Sequence, residues 1–174
     1  VIVGEFRREV VRPTLERLGA WSLPAEELLI GTALHESRGL RHIRQKLKGG
    51  RPGRAVSFFQ IEPATAADVA VRYLGLRPDL RDRLGAAVWI LSTPEIEWHA
   101  IDHGALEVKL LCDMAFAVAI ARLKYWMIPA PLPEADDLVG LAAYWKAHYN
   151  TAAGKGSTAA WLKDYRRYTD RKDC

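Results

Sequence analysis

Cysteine is scarce in this chain: 174 residues contain two, Cys112 and Cys174. One lies in an apolar run and the other is the last residue, so no disulfide framework is indicated and the cysteines give no argument for secretion. Cys112 reads as a small buried residue. Long apolar runs are missing too. The longest, LLCDMAFAVAIA over 110–121, contains Asp113 and falls well short of the roughly 20 residues that cross a bilayer. It reads as a core helix, and no membrane span is expected. The N-terminus, VIVGEFRREVV, turns charged at Glu5, so no signal peptide is visible, and the missing initiator Met fits a chain processed or cut from something longer. Acidic charge is absent from one stretch. Between Ser37 and Ile61 there is no Asp or Glu, while Arg38, Arg41, Arg44, Lys46, Lys48, Arg51 and Arg54 all fall there. That stretch would attract an anionic polymer. The net charge of +4, from 25 basic and 21 acidic residues, is too small to imply nucleic acid.

What is present describes a globular, mainly helical single domain over residues 1–174. Hydrophobic content of 49% and charged content of 26% are ordinary for a folded protein, and a chain this long buries a substantial core. Phe6, Val10, Leu15 and Leu18 sit near helical spacing over 5–18, with Pro13 and Thr14 as candidate interruptions. SLPAEELLIGTALHESRG is the clearest helix: Pro24 at a first-turn position, Glu26 and Glu27 at the positive end, Gly39 as the stop. Residues 40–56 read as a basic loop punctuated by Gly and Pro, able to hold a minimal hairpin with the 57–61 stretch. VSFFQI reads as a brief extended stretch. EPATAADVAVRYL restarts a helix near Pro63, and another is expected over 79–91. STPEIEWHAIDHG reads as a short helix opened by Thr93 and Pro94. From about Ala105 to Met127 apolar residues cover all sides, which predicts a central helix surrounded by others. DDLVGLAAYWKAHYN and STAAWLKDYRRY supply the last two helices, the second capped by Ser157 or Thr158.

Glu36 is the residue whose placement asks for a reason. It ends an apolar helix, where the dipole is negative and burial is partial. Both disfavour the carboxylate and raise its pKa, which is what a general acid near neutral pH requires. The plainer alternative is a helix-end glutamate pairing with Arg38 or Arg41.

Three stretches in order strengthen the acid reading: HES at 35–37, SFFQIEPAT at 57–65, and AAYWKAHYNTAAGKG at 142–156. Together they resemble the lytic transglycosylases, a lysozyme-like group that cleaves the glycan strand of peptidoglycan. The family's second motif reads G-L-M-Q-I-x-P-A-T. Gln60, Ile61, Pro63, Ala64 and Thr65 match it, while Ser57, Phe58 and Phe59 replace Gly-Leu-Met. The third motif, A-Y-N-A-G, is matched by Tyr149 and Asn150 followed by Gly154 and Gly156, with Ala143-Tyr144 as the competing register. The resemblance covers the chain from about residue 24 and looks most like lysozyme-type domains of bacteriophage virion proteins.

The resemblance implies a lysozyme-like fold with no cofactor and no metal, and Glu36 as the single acid/base acting between N-acetylmuramic acid and N-acetylglucosamine. Gln60 would hold a sugar amide or hydroxyl, Phe59 would pack on a sugar face, and Tyr149, with Asn150 beside it, would help orient Glu36. Ser37 would steady the turn or the substrate, and Ser57 would shape the groove wall. The implied partners are peptidoglycan strands and other virion proteins, in a virion or delivered to the bacterial periplasm. The basic loop would suit anionic stem peptides and could act as a lid. Trp98, Trp145 and Trp161 are candidate sugar platforms, though core packing fits each better. A carboxylate facing Glu36, such as Glu62, Glu97 or Asp102, would instead make a hydrolytic lysozyme.

Two rivals are weaker. His99 and His103, four apart with Glu95 one turn earlier, have zinc-binding spacing, but the H-E-x-x-H pattern and a third ligand are missing. Nucleic-acid binding lacks a helix-turn-helix signature and aromatics in the basic stretch, so no nucleic-acid partner is expected. A lysozyme-like domain kept as an inactive wall-binding or structural virion part remains an alternative.

Overall fold

The computed structural model describes residues 3–87, 102–150 and 156–169. The first helix, α1, passes through three consecutive segments: Val3–Glu5, a π-helical stretch at Phe6–Val11, and Arg12–Leu18. Pro13 therefore does not break it. Pro13 sits at the start of the third segment, where its missing N–H is tolerated, and the wider π turn precedes it.

Helix α2, Leu23–Glu36, is opened by Ser22, whose hydroxyl accepts from the Ala25 N–H at 3.3 Å. Every residue from Leu28 to Leu34 is buried. At Gly31 the indole of Trp161 lies so close that a Cβ would overlap its ring, so only glycine fits there. A two-stranded antiparallel hairpin follows, β1 Arg44–Lys46 and β2 Pro52–Val56, with Arg44 opposite Val56. The stretch VSFFQI is not extended: only Val56 belongs to a strand, and Ser57–Gln60 form a turn closed by the paired backbones of Val56 and Ile61.

Helix α3, Pro63–Val69, continues π-helically over Ala70–Leu74, and α4 spans Pro78–Ala87. The rest of the helix expected to 91, most of the 92–104 helix, and Glu95, Glu97, Trp98 and His99 lie outside the described residues. Asp102 caps α5, His103–Cys112, by accepting from the Gly104 and Ala105 N–H groups. Helix α6 is Met114–Trp126.

The single all-round helix expected over 105–127 is thus two helices. Asp113 leaves helical geometry (φ −116°, ψ 99°), and its Oδ1 accepts from the Phe116 N–H at 2.9 Å, starting a new helix in the middle of the apolar run. Of the two halves, α6 is the central one. Ala115–Leu123 are all buried, and α6 packs against α1 to α5. Helix α5 lies further out, with Val108 exposed and Cys112 exposed at its end, so the expectation of a buried cysteine is wrong. Helix α7, Leu138–Trp145, runs on into a π-helical turn at Lys146–Asn150, and α8 is Thr158–Thr169, with Ser157 accepting from the Ala160 N–H. The protein is mainly helical with a minimal hairpin. Among the described residues, no helix is long and apolar enough to cross a membrane.

An ionic network locks α1 to α2. Glu26 has no exposed surface; its carboxylate accepts from Arg7 at 2.9 Å, from Arg12 at 2.8 and 2.9 Å, and from the Trp21 indole at 2.7 Å. Arg7 also grips Glu27 bidentately at 2.5 and 2.8 Å, and the Tyr165 hydroxyl of α8 donates to the same carboxylate. Burial alone would raise the Glu26 pKa, but the bonds from Arg12, Trp21 and Arg7 outweigh it and hold the value at about 2. The folded chain therefore binds this proton less readily than the unfolded chain, whose value is near 4.5. The network's stabilisation is present above that value and fades as pH falls towards 2. Glu26→Ala removes the partner of the part-exposed Arg12 and of the Trp21 indole and one of the two partners of Arg7, and is expected to lower unfolding free energy by about 1–3 kcal/mol at pH 7. Urea unfolding at pH 7 and below pH 3 checks this: the deficit should be large at the first and much smaller at the second.

Candidate active site

Glu36 is the last residue of α2. Its helix is stopped by a tight turn in which Arg38, Gly39 and Leu40 all have positive φ, at 56°, 78° and 59°. Ser37 holds that turn: buried, it donates to the Ala33 carbonyl at 2.6 Å and accepts from the Leu40 N–H at 2.8 Å. Of its two expected roles the structure supports the turn, since both its bonds run to the backbone.

The carboxylate of Glu36 faces α7. The Trp145 indole N–H donates to its Oε1 at 3.1 Å, so Trp145, read from sequence as packing, is both fully buried and the residue that aims Glu36. The His35 ring packs edge-on to Trp145 with centroids 4.7 Å apart, and its Nδ1 lies 2.7 Å from Asp164 of α8. Gly156 closes this corner. A Cβ there would run into the Asn150 amide and the Trp145 ring and stand 3.1 Å from His35.

Lys124 of α6 reaches the π-helical end of α7. Its Nζ donates to the Tyr149 carbonyl at 3.0 Å and lies 3.7 Å from the centre of that residue's ring. Burial depresses Lys124 to about 8, with the Glu36 charge opposing the shift. Burial raises Glu36 above the ordinary carboxylate range; His35, the Trp145 bond and Lys124 pull against it without cancelling it. The direction agrees with the expectation, and the dominant cause is burial.

The second stretch joins through Tyr149. Its hydroxyl donates to the Phe59 carbonyl at 2.8 Å, so this bond runs to the second stretch. Tyr149 is nonetheless the tyrosine of this junction: buried beside Tyr125, it is pushed well above its usual range by burial and by the charges of Tyr125 and Glu36. Tyr144 points elsewhere, donating to the Ala130 carbonyl at 2.9 Å.

Phe59 is 1% exposed and packs in the core near Phe6, so it presents no face to a sugar. Ser57 is buried with φ 67°, and its hydroxyl accepts from the Phe59 N–H; it shapes the turn from inside. Gln60, with φ 49°, donates its amide to the carbonyls of His42 and Ser57 at 3.3 and 2.8 Å. Asn150 is half-buried at the end of the π-helical turn. Trp161 is fully buried under α2, a core residue and not a platform.

No described carboxylate acts on Glu36. Glu62 is exposed, Asp102 is spent capping α5, and the charges that influence Glu36 are those of His35 and Lys124. Among the described residues no group of three could hold a metal, and His103 is exposed on the first turn of α5. An apolar pocket of about 230 Å³ opens beside the second stretch, lined by Phe6, Ile43, Phe58, Leu111 and Met114 among others, but Glu36 does not border it.

Compared with protein-family models, with curated proteins and with solved structures, the chain matches none.

Because burial disfavours the Glu36 carboxylate, the folded chain holds this proton more tightly than the unfolded chain does. Stability then falls as pH rises from about 4.5 through the raised folded value. Glu36→Gln keeps an oxygen for the Trp145 N–H and removes the charge. Its Tm is expected to exceed wild type at pH 7, with the gain vanishing below pH 4, as thermal unfolding across that range would show.

Proposed function

We propose that the protein is a lysozyme-like enzyme that cuts the glycan strand of peptidoglycan as a lytic transglycosylase, with Glu36 as its acid/base. The observation that carries this reading is a chain of contacts that starts at one half-buried carboxylate and links three stretches distant in sequence. Trp145 holds Glu36, Lys124 ties α6 to Tyr149, and Tyr149 reaches Phe59 in the turn before Gln60. A second observation points the same way. The four non-glycine residues with positive φ among those described are Arg38, Leu40, Ser57 and Gln60, so the backbone strain lies in the turns flanking these contacts.

Glu36, protonated, gives its proton to the glycosidic oxygen as the bond from that oxygen to the muramic C1 breaks, leaving oxocarbenium character at C1. The Glu36 carboxylate then takes the proton from the same sugar's C6 hydroxyl. O6 bonds to C1, a 1,6-anhydro ring closes, and Glu36 is protonated again. No water and no second carboxylate take part in this scheme. A hydrolytic lysozyme would need a water-activating group opposite Glu36.

With purified peptidoglycan, wild type is expected to release muropeptides ending in 1,6-anhydro sugar, and Glu36→Gln to lose at least 100-fold of that activity, on the order of a general acid/base contribution. Mass spectrometry of the products reads both. Reducing-end products would make the enzyme a hydrolase, and no release from several wall types would favour a wall-binding or structural role in a virion.

A further inference from the structure

We infer that the tip of the hairpin is a docking surface for an anionic lipid bilayer: Lys46, Lys48 and Arg51 meet headgroup phosphates while Leu47, between the lysines, enters the acyl boundary. The inference does not depend on the glycan-cleaving reading. The hairpin is anchored at its base. Ala55 and Val56 are buried, Arg44 pairs with Glu107 of α5 at 2.5 Å, and the Gln60 amide donates to the His42 carbonyl at 3.3 Å. Beyond that base it stands clear of the domain, for every residue from Lys46 to Pro52 is exposed. The turn closes on itself, with the Leu47 N–H donating to the Arg51 carbonyl at 2.8 Å and the Gly50 N–H to the Leu47 carbonyl at 3.0 Å. Gly49 and Gly50 have φ of 79° and 77°, and a Cβ on either would meet nothing within 4 Å. The tip is therefore a fixed projection with open space around it.

Strand register adds a further cation. Lys46 stands opposite Pro52, and β2 alternates exposed and buried over Pro52, Gly53, Arg54 and Ala55, so Arg54 shares the outer face with Lys46. Gln45 packs over Gly53 on the other face. Arg38 and Arg41 are exposed at the root. Among the described residues, Arg44 alone of the basic residues from 38 to 54 has an acidic partner. The others face water without a counter-charge, which favours an anionic surface as partner. Leu47 decides what kind of surface. It is 45% exposed in the midst of these cations. A phosphate polymer in water would gain from the lysines and the arginine and nothing from the leucine. The boundary between headgroups and acyl chains gains from both. Single-stranded nucleic acid is gripped by aromatic stacking, and the tip carries no ring.

The test is flotation of the full chain with vesicles of equal parts phosphatidylglycerol and phosphatidylcholine, and with vesicles of phosphatidylcholine alone. Wild type is expected to float with the mixed vesicles only, and less so as salt is raised. The variant that replaces Lys46, Lys48 and Arg51 with Gln should lose affinity on the order of 100-fold. Leu47→Gln, with every charge kept, should lose about tenfold. Leu76→Gln alters a leucine that is 81% exposed away from the hairpin and should bind as wild type does. All these positions are exposed, and matching thermal unfolding curves establish that the variants are folded. No binding to the mixed vesicles overturns the inference, as does equal binding to the neutral ones or binding that survives loss of the three cations. Binding that needs the cations but ignores Leu47→Gln also overturns it, because the hairpin then reads charge alone and its partner is a soluble polyanion such as an anionic wall polymer.

Discussion

Two of the three carboxylates on one buried helix, Glu26 and Glu36, meet opposite fates, and the rest of the structure is arranged around that helix. At its first turn Glu26 is stripped of water but receives hydrogen bonds from two arginines and an indole, and it stays ionised to about pH 2. At its last residue Glu36 is half-buried and receives one indole bond, and its proton affinity rises. Burial raises both; the number and charge of the donors decides which way each ends. The first carboxylate is structural because it is fully compensated. The second is not, and it holds its proton more tightly for that reason.

The two ends are mechanically connected. Seven consecutive buried residues, Leu28 to Leu34, leave α2 no freedom to slide, and Trp161 fits against it only because residue 31 has no side chain. The Glu26 and Glu27 pairs fix α1 and α8 to the start of the same helix. Rigidity at one end therefore fixes where the carboxylate at the other end points. The partner elements are irregular by contrast. Trp145 and Tyr149 flank the change from α-helix to π-helix in α7, a local widening that is frequent at functional sites.

Much of the fold was legible because its signals are local. Ser22, Pro24 and Gly39 mark the ends of α2 with capping chemistry that needs no tertiary partner. The hairpin followed from glycines and proline between short stretches, and Glu36 stood out because both the helix dipole and burial disfavour a carboxylate that ends an apolar helix. What was illegible depended on partners far away in sequence. Asp113 is a good N-cap residue, but apolar runs on both sides hid a helix break as a helix interior. Phe59 occupies a motif position whose side chain was expected in a groove, yet the positive φ at Ser57 turns it into the core. Trp145 gave only a hydrophobic signal, and nothing in the spacing told that its one polar atom would find Glu36. Lys124 was invisible for the same reason: a single lysine in an apolar run near a helix end reads as a residue reaching for solvent.

The sign of the charge opposite Glu36 bears on which chemistry the junction favours. A second carboxylate nearby would add repulsion to burial and push the Glu36 proton affinity higher still. A cation nearby does the reverse. It opposes burial, narrows the gap between the protonated and ionised forms, and lets one residue pass through both states in each cycle. Alternating use of a single acid/base is what ring closure through a sugar's own hydroxyl demands. At Glu36 burial outweighs the opposing influences of His35, Trp145 and Lys124, which leaves a carboxylate of raised proton affinity.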